Sequence, residues 1–262
     1  MEACEIAPGD RPGTFVLRMS GMDQSYVDLE DPTRIVFDYV RRLADVVDAV
    51  APAGEPVRVV HVGGAGMTLP RYVATTRPRS AQIVLEPATA VTELVRRELP
   101  LPRNSGIKVR DLDGSTGIAG LRDGQAELVV VDAFADARVP GSLVTVTFAE
   151  DLLRVVGPTG VVAFNLTDRA PFGWTRRAVA SIRLSFPSLL LTAEPATLRA
   201  KRLGNLVVVA SASAAALPLD ALRTRATTAA APYRVLDARA VSDGFGGGTP
   251  FTDLDAEPSP AP

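Results

Sequence analysis

Four acidic residues fall at, or just past, the ends of successive apolar runs. They are Glu86 after Gln82–Leu85, Asp113 after Ile107–Asp111, Asp132 at the end of Ala126–Asp132, and Asp136 shortly beyond it. Ahead of them, the β-branched run Val57, Val59, Val60, Val62 stops at Gly63-Gly64-Ala65-Gly66, and helix-compatible sequence follows. Glycines let a backbone turn tightly and let a ligand come close. The helix behind such a loop offers unpaired N–H groups and a partial positive charge. An acid about 20 residues further on suits the two hydroxyls of a ribose, which is the reading for Glu86. Asp113 can accept a hydrogen bond from an adenine amino group, and Asp132 and Asp136 belong beside the reacting part of such a ligand. Taken singly, each acid reads equally well as a helix cap or turn residue, and the glycine loop as a packing device. Four acids on one edge of one sheet are harder to explain in that way.

The elements that must position these groups alternate. Helical patterns are predicted from Asp31-Pro32 to before Pro52, and over about Met67–Arg77, Thr89–Leu99, Thr147–Val156, Trp174–Phe186 and 216–229. Between them lie the strands named above, then Val161–Asn165, Leu189–Thr192 and Leu206–Ser211. Strands apolar on both faces belong to a central parallel sheet. The alternation predicts a doubly wound, Rossmann-like α/β sheet, whose ligands sit outside the carboxyl ends of the strands. Residues 1–30 read as a small N-terminal β-hairpin segment, with strands at Thr14–Met19 and Gln24–Leu29; residues 31–230 form the nucleoside-binding domain. From Asp243 glycine, proline and acids dominate, which predicts an extended or disordered tail over 243–262.

Composition removes whole classes of function. The 262 residues carry a net charge of −2, so no field draws the chain to nucleic acid or anionic lipid. Cys4 is the single cysteine and His61 the single histidine, which excludes an internal disulfide and a cysteine- or histidine-rich metal site. No apolar run reaches ~18 residues, and no basic start precedes an apolar stretch, so neither a membrane span nor a secretory signal is expected, and the expected compartment is the cytoplasm.

The order of these motifs resembles the polyamine synthases, the spermidine synthase-like aminopropyltransferases, which share the class I S-adenosylmethionine methyltransferase fold. The resemblance runs from the N-terminal strands to about residue 211. Gln24 matches the Gln that ends the family's hairpin segment, and Phe37 and Tyr39 match its Phe-x-Tyr pair. Val62–Leu69, VGGAGMTL, matches a loop reading GGGDGGTL; Gly63, Gly64 and Gly66 are retained and Ala65 replaces the acid. Glu86 falls on the ribose acid, Asp113-Gly114 on the adenine-side Asp-Gly, and Val129–Asp136, VVVDAFAD, on the catalytic strand and DSSDP loop. Thr249–Ala256, TPFTDLDA, looks like the closing segment of bacterial homologues. The resemblance implies decarboxylated S-adenosylmethionine as cosubstrate and methylthioadenosine as product. It implies an amine acceptor such as putrescine held by Tyr39 and Asp132, Asp132 and Asp136 as catalytic acids, no metal, and a homodimer. The amine side departs most: beyond Ala65, the second acid of the loop is Ala135 or shifted to Asp136, and Tyr39-Val40-Arg41 replaces Tyr-His-Glu.

Two other readings remain open on the residues. One is an S-adenosylmethionine-dependent methyltransferase, although His61 stands where that class places an acid before the loop. The other is a non-catalytic nucleoside-binding homologue. His61 itself reads as a packed strand histidine or a pocket residue, Asn165 as a ligand-facing or a turn residue, and Trp174 as a packing or interface residue rather than a base-stacking one.

Overall fold

The computed structural model describes residues 4–200 and 202–262. Three antiparallel strands come first: β1 (Cys4–Pro8), β2 (Thr14–Met19) and β3 (Met22–Asp28). The sequence predicts the second and third; β1 has too few apolar residues to announce itself. This small sheet does not stand alone. Leu17 and Val27 pack on Val91 and Val95 of α3 (Thr89–Glu98) and on Leu99 just past its end.

The predicted first helix starts later than its Asp-Pro signal. Asp31 instead closes a turn, accepting from the Thr33 N–H at 3.0 Å, and α1 runs Asp38–Val50. The side chain that would cap a helix is spent on this local turn, so residues 31–37 form a loop. Arg34 ties that loop to the N-terminal sheet, donating to Asp10 at 2.7 Å and to the Tyr26 hydroxyl.

The main sheet then builds in alternation: β4 (Arg58–Val62), α2 (Thr68–Thr76), β5 (Ala81–Leu85), α3, β6 (Ile107–Arg110), α4 (Gly114–Ala119), β7 (Leu128–Val131), α5 (Val146–Val156), β8 (Val161–Asp168), α6 (Gly173–Ser185), β9 (Ser188–Ala193), α7 (Pro195–Leu198), β10 (Gly204–Ser211), α8 (Leu219–Thr228), β11 (Arg234–Leu236) and α9 (Ala238–Phe245). Its order is β11-β9-β10-β8-β7-β4-β5-β6. The strands from β6 to β8 run parallel, and β10 lies antiparallel between β8 and β9. Period-2 alternation sorts each strand between two cores. Val60, Val62, Val129 and Val131 face one, with residues of α5, α6 and α9; Val59, Leu128 and Val130 face the other, with α1, α2 and α8.

The segment over 243–262, expected to be an extended or disordered tail, begins with the end of α9 and continues as irregular chain packed on the domain. Phe251 is fully buried, its ring tilted against that of Trp174 and covered by the Arg177 guanidinium 4.0 Å from its ring centre. Glycine, proline and acids suppress regular structure here, but isolated anchors at Phe251 and Ser259 hold an irregular chain against the domain. No helix among the described residues is long and apolar enough to cross a membrane.

Candidate active site

The loops leaving β4, β5 and β7 meet at the carboxyl edge of the parallel strands. Together with β3 and the loop before α1 they enclose a cavity of about 390 Å³. Gly63 makes the meeting possible. Its φ is +92°, and a Cβ there would lie 2.3 Å from the carbonyl oxygen of Asp132. Only glycine lets the β4 loop cross the end of β7 so closely, so the nucleoside-type loop and Asp132 are one construction.

Glu86, one residue past β5, turns back on that loop. One carboxylate oxygen accepts from the N–H groups of Gly64 at 2.9 Å and Ala65 at 3.1 Å, and the other from the Ala88 N–H at 3.0 Å. The acid is thereby fixed where a ligand's hydroxyls can reach it. Gly66 lies below the lining, its N–H held by Ser25 Oγ at 3.0 Å.

Asp132 stands at the foot of the cavity. Burial raises its pKa from 3.8 to about 6, against the pull of one hydrogen bond from Asn165 Nδ2 at 2.8 Å. Asn165, itself buried, is oriented by Asn205, whose Nδ2 donates to Asn165 Oδ1 at 3.0 Å. With its oxygen occupied, Asn165 must present its N–H₂ to Asp132, which favours the ionised carboxylate. Tyr39 faces the same acid: burial first, then the charge of Asp132, raise its pKa well above the phenol's usual value. Its hydroxyl stays protonated and can donate.

His61 also lines the cavity but behaves as a packed residue. Gln82 gives its N–H₂ to the Pro70 carbonyl at 3.0 Å, so its oxygen faces His61 Nε2 at 2.9 Å and that nitrogen carries the proton. Burial lowers the His61 pKa to about 4, so the ring is neutral at neutral pH.

Of the residues singled out from sequence, Gln24, Tyr39, Gly63, Gly64, Glu86, Asp132 and Asp136 line this one cavity. Asp136 lies at its exposed rim, on a turn where it and Ala137 both have positive φ. Asp113 and Gly114 do not line it. Asp113 caps α4, accepting from Thr116 N–H at 3.0 Å and Ser115 Oγ at 2.7 Å; the Thr116 side chain first, then these bonds, hold its carboxyl down at about 2. Gly114 instead packs over Val62. Asn205 and Ser25 escaped the sequence reading, since neither sits in a motif; they are found only through their partners.

The charge of the lining is one-sided. Glu86, Asp132 and Asp136 contribute three carboxylates, and no Lys or Arg lines the cavity among the described residues, in a chain with 28 of them. Such a lining attracts positive charge and gives a carboxylate no side-chain counter-charge.

The sheet order and the position of the cavity define an α/β fold of the methyltransferase type, with a small antiparallel sheet at its N-terminal end. No protein-family profile matches the chain. In sequence it is 25% identical, over 142 residues, to a polyamine aminopropyltransferase of Vibrio vulnificus (strain CMCP6). That match covers 53% of this chain and 46% of the relative, so the chain matches about half of that protein's length. In structure it is similar to a probable spermidine synthase from Corynebacterium glutamicum ATCC 13032, with a TM-score of 0.88 and 22% identity over 96% of this chain and 93% of that one. It is also similar to a spermidine synthase solved with the transition state analogue AdoDATO, with a TM-score of 0.61 and 14% identity over 93% and 81% of the two chains. The resemblance seen in the motifs thus extends to the whole fold.

Proposed function

We propose that this protein is a spermidine synthase-like aminopropyltransferase, moving an aminopropyl group from decarboxylated S-adenosylmethionine to an amine. The observation that carries the reading is the lining of the cavity: three carboxylates, no Lys or Arg among the described residues, and one of the acids tuned upward by burial. A sulfonium, a free aminopropyl ammonium and a second amine are all cations, and all are attracted there.

In this reading Glu86 and the Gly63–Gly66 loop hold the nucleoside, and Asp132 faces the acceptor. The acceptor amine has an ordinary pKa near ~10, as for lysine, and must lose a proton to attack. Its nitrogen forms a bond to the methylene carbon beside the sulfonium. The carbon–sulfur bond breaks, its electron pair stays on sulfur, and methylthioadenosine leaves. The proton from nitrogen passes to Asp132. A carboxylate with a pKa of about 6 is a stronger base than a free aspartate, yet still ionised at neutral pH. Tyr39 donates from the same wall, and Asp136 at the rim meets a distal ammonium when the acceptor is a diamine such as putrescine or another polyamine. The reading includes a nucleoside-binding unit over 31–230, a cytoplasmic homodimer, and no metal or nucleic-acid partner.

The test is direct. The purified protein is incubated with decarboxylated S-adenosylmethionine and a series of mono-, di- and triamines, and methylthioadenosine is measured. Amine-dependent release supports the assignment. S-adenosylhomocysteine from S-adenosylmethionine, with no methylthioadenosine under any condition, would establish methyl transfer instead. Nucleoside binding without turnover of either donor would establish a non-catalytic homologue.

A further inference from the structure

The loop Ala133–Pro140 carries Asp136 and supplies Ala133, Phe134 and Ala135 to the cavity wall. It begins at Asp132 and closes on itself once, through paired backbone bonds between Ala135 and Arg138 at 2.9 and 3.0 Å. Its near end, Ala133 and Phe134, packs against the main core, whereas, among the described residues, the turn carrying Asp136 makes no side-chain contact of its own with that core. Its far end is fixed from outside, by residues distant in sequence.

Ser259 lies in a segment whose preceding residues Glu257 and Pro258 are exposed, yet it is itself fully buried. Its N–H donates to the Val139 carbonyl at 3.0 Å, and its Oγ accepts from the Val139 N–H at 2.9 Å. Both backbone groups of Val139 are therefore satisfied by one residue. The same Oγ lies 3.0 Å from Thr167 Oγ1 on β8. The flanking carbonyls bind alongside: Arg138 donates to those of Pro258, at 3.0 Å, and Ser259, and Trp174 Nε1 to that of Glu257 at 2.8 Å.

The arrangement has a geometric consequence. Asn165 and Thr167 are two apart on β8 and share a face. Asn165 holds Asp132, where the loop starts; Thr167 holds Ser259, which grips Val139, where the loop ends. One strand thus fixes both ends of the loop. We propose that Ser259 is a positioning residue, which sets the Asp136-bearing loop against the cavity and so governs capture of the amine rather than of the nucleoside.

This inference rests on the aminopropyl-transfer reading for its consequence, but its physical core can be measured without turnover. Hydrogen exchange by mass spectrometry on the full chain compares wild type with Ser259→Ala. Removing Oγ leaves the buried Val139 N–H without its acceptor. The expected result is at least tenfold faster exchange confined to 135–140, with β4 and β7 unchanged. Methylthioadenosine affinity should stay within twofold, while KM for the amine rises at least fivefold with kcat little changed. Ser259→Thr, which keeps the hydroxyl, should restore both. Thr167→Val, which removes only the outer partner, should give an intermediate effect and serves if Ser259→Ala folds poorly. Unchanged exchange over 135–140, or equal acceleration throughout the chain, would overturn the anchoring role. Faster loop exchange with unaltered amine KM would overturn the functional half alone. Absence of turnover with every amine would refute the proposed reaction while the exchange result still judged the anchor.

Discussion

Asn165→Leu isolates the tuning of Asp132. In the folded protein burial drives this carboxyl up to about 6, and its single hydrogen bond, from Asn165 at 2.8 Å, opposes that rise. A hydrogen bond to a charged group contributes ~1.5–3 kcal/mol. One pH unit corresponds to ~1.4 kcal/mol, so removing the donor should raise the midpoint by roughly one to two pH units. At pH 7 the ionised fraction then falls from about nine-tenths to between roughly a tenth and a half. The rate at pH 7 should drop by ~2–10-fold and recover toward wild type near pH 9, because the base itself is still present. Carbon-13 NMR of labelled aspartate carboxyls gives the midpoint without any substrate, and the pH profile of kcat/KM gives its consequence. An unmoved midpoint, or a loss of rate equal at every pH, would refute the argument.

Three further changes follow from the same geometry. Asp132→Asn should abolish turnover and stabilise the fold at alkaline pH. A carboxyl whose pKa rises from 3.8 to about 6 on folding weakens the folded state as pH climbs through that window, by up to ~3 kcal/mol above it. Thermal unfolding should therefore show the variant more stable at pH 8 and no different below pH ~4. Glu86→Gln removes the charge facing the ribose position and leaves at least one of its three backbone N–H partners without an acceptor; methylthioadenosine binding should weaken by ~10–100-fold, read by calorimetry, and the melting temperature should fall as well. Gly63→Ala places a methyl group 2.3 Å from the Asp132 carbonyl at a φ of +92°; unfolding should show a loss of at least ~1–3 kcal/mol and activity should fall with it.

Much of this architecture is legible in the sequence because it rests on local patterns. Apolar β-branched runs at Val57–Val62 and Ala126–Val131 announce central strands, and the glycine loop and Glu86 follow from spacing alone. The signals open to misreading are those with two local solutions. Asp31-Pro32 looks like a helix start, but its side chain closes a turn; Asp113, read as a ligand acid, has the cap of α4 as a second local role. What could not be read is what depends on long-range contact. Asn205 reaches Asn165 only because β10 lies antiparallel against β8, and Ser259 reaches Val139 across 120 positions of sequence. The packed tail belongs to the same class, since two buried residues hold a stretch whose composition predicts none of it.

The central claim, that a lining with three carboxylates and, among the described residues, no Lys or Arg favours a donor without a carboxylate, is tested by titration calorimetry with two donors differing by that one group. Decarboxylated S-adenosylmethionine should bind at least tenfold more tightly than S-adenosylmethionine, and the difference should shrink with added salt. Equal affinities, or preference for the carboxylated donor, would contradict the account.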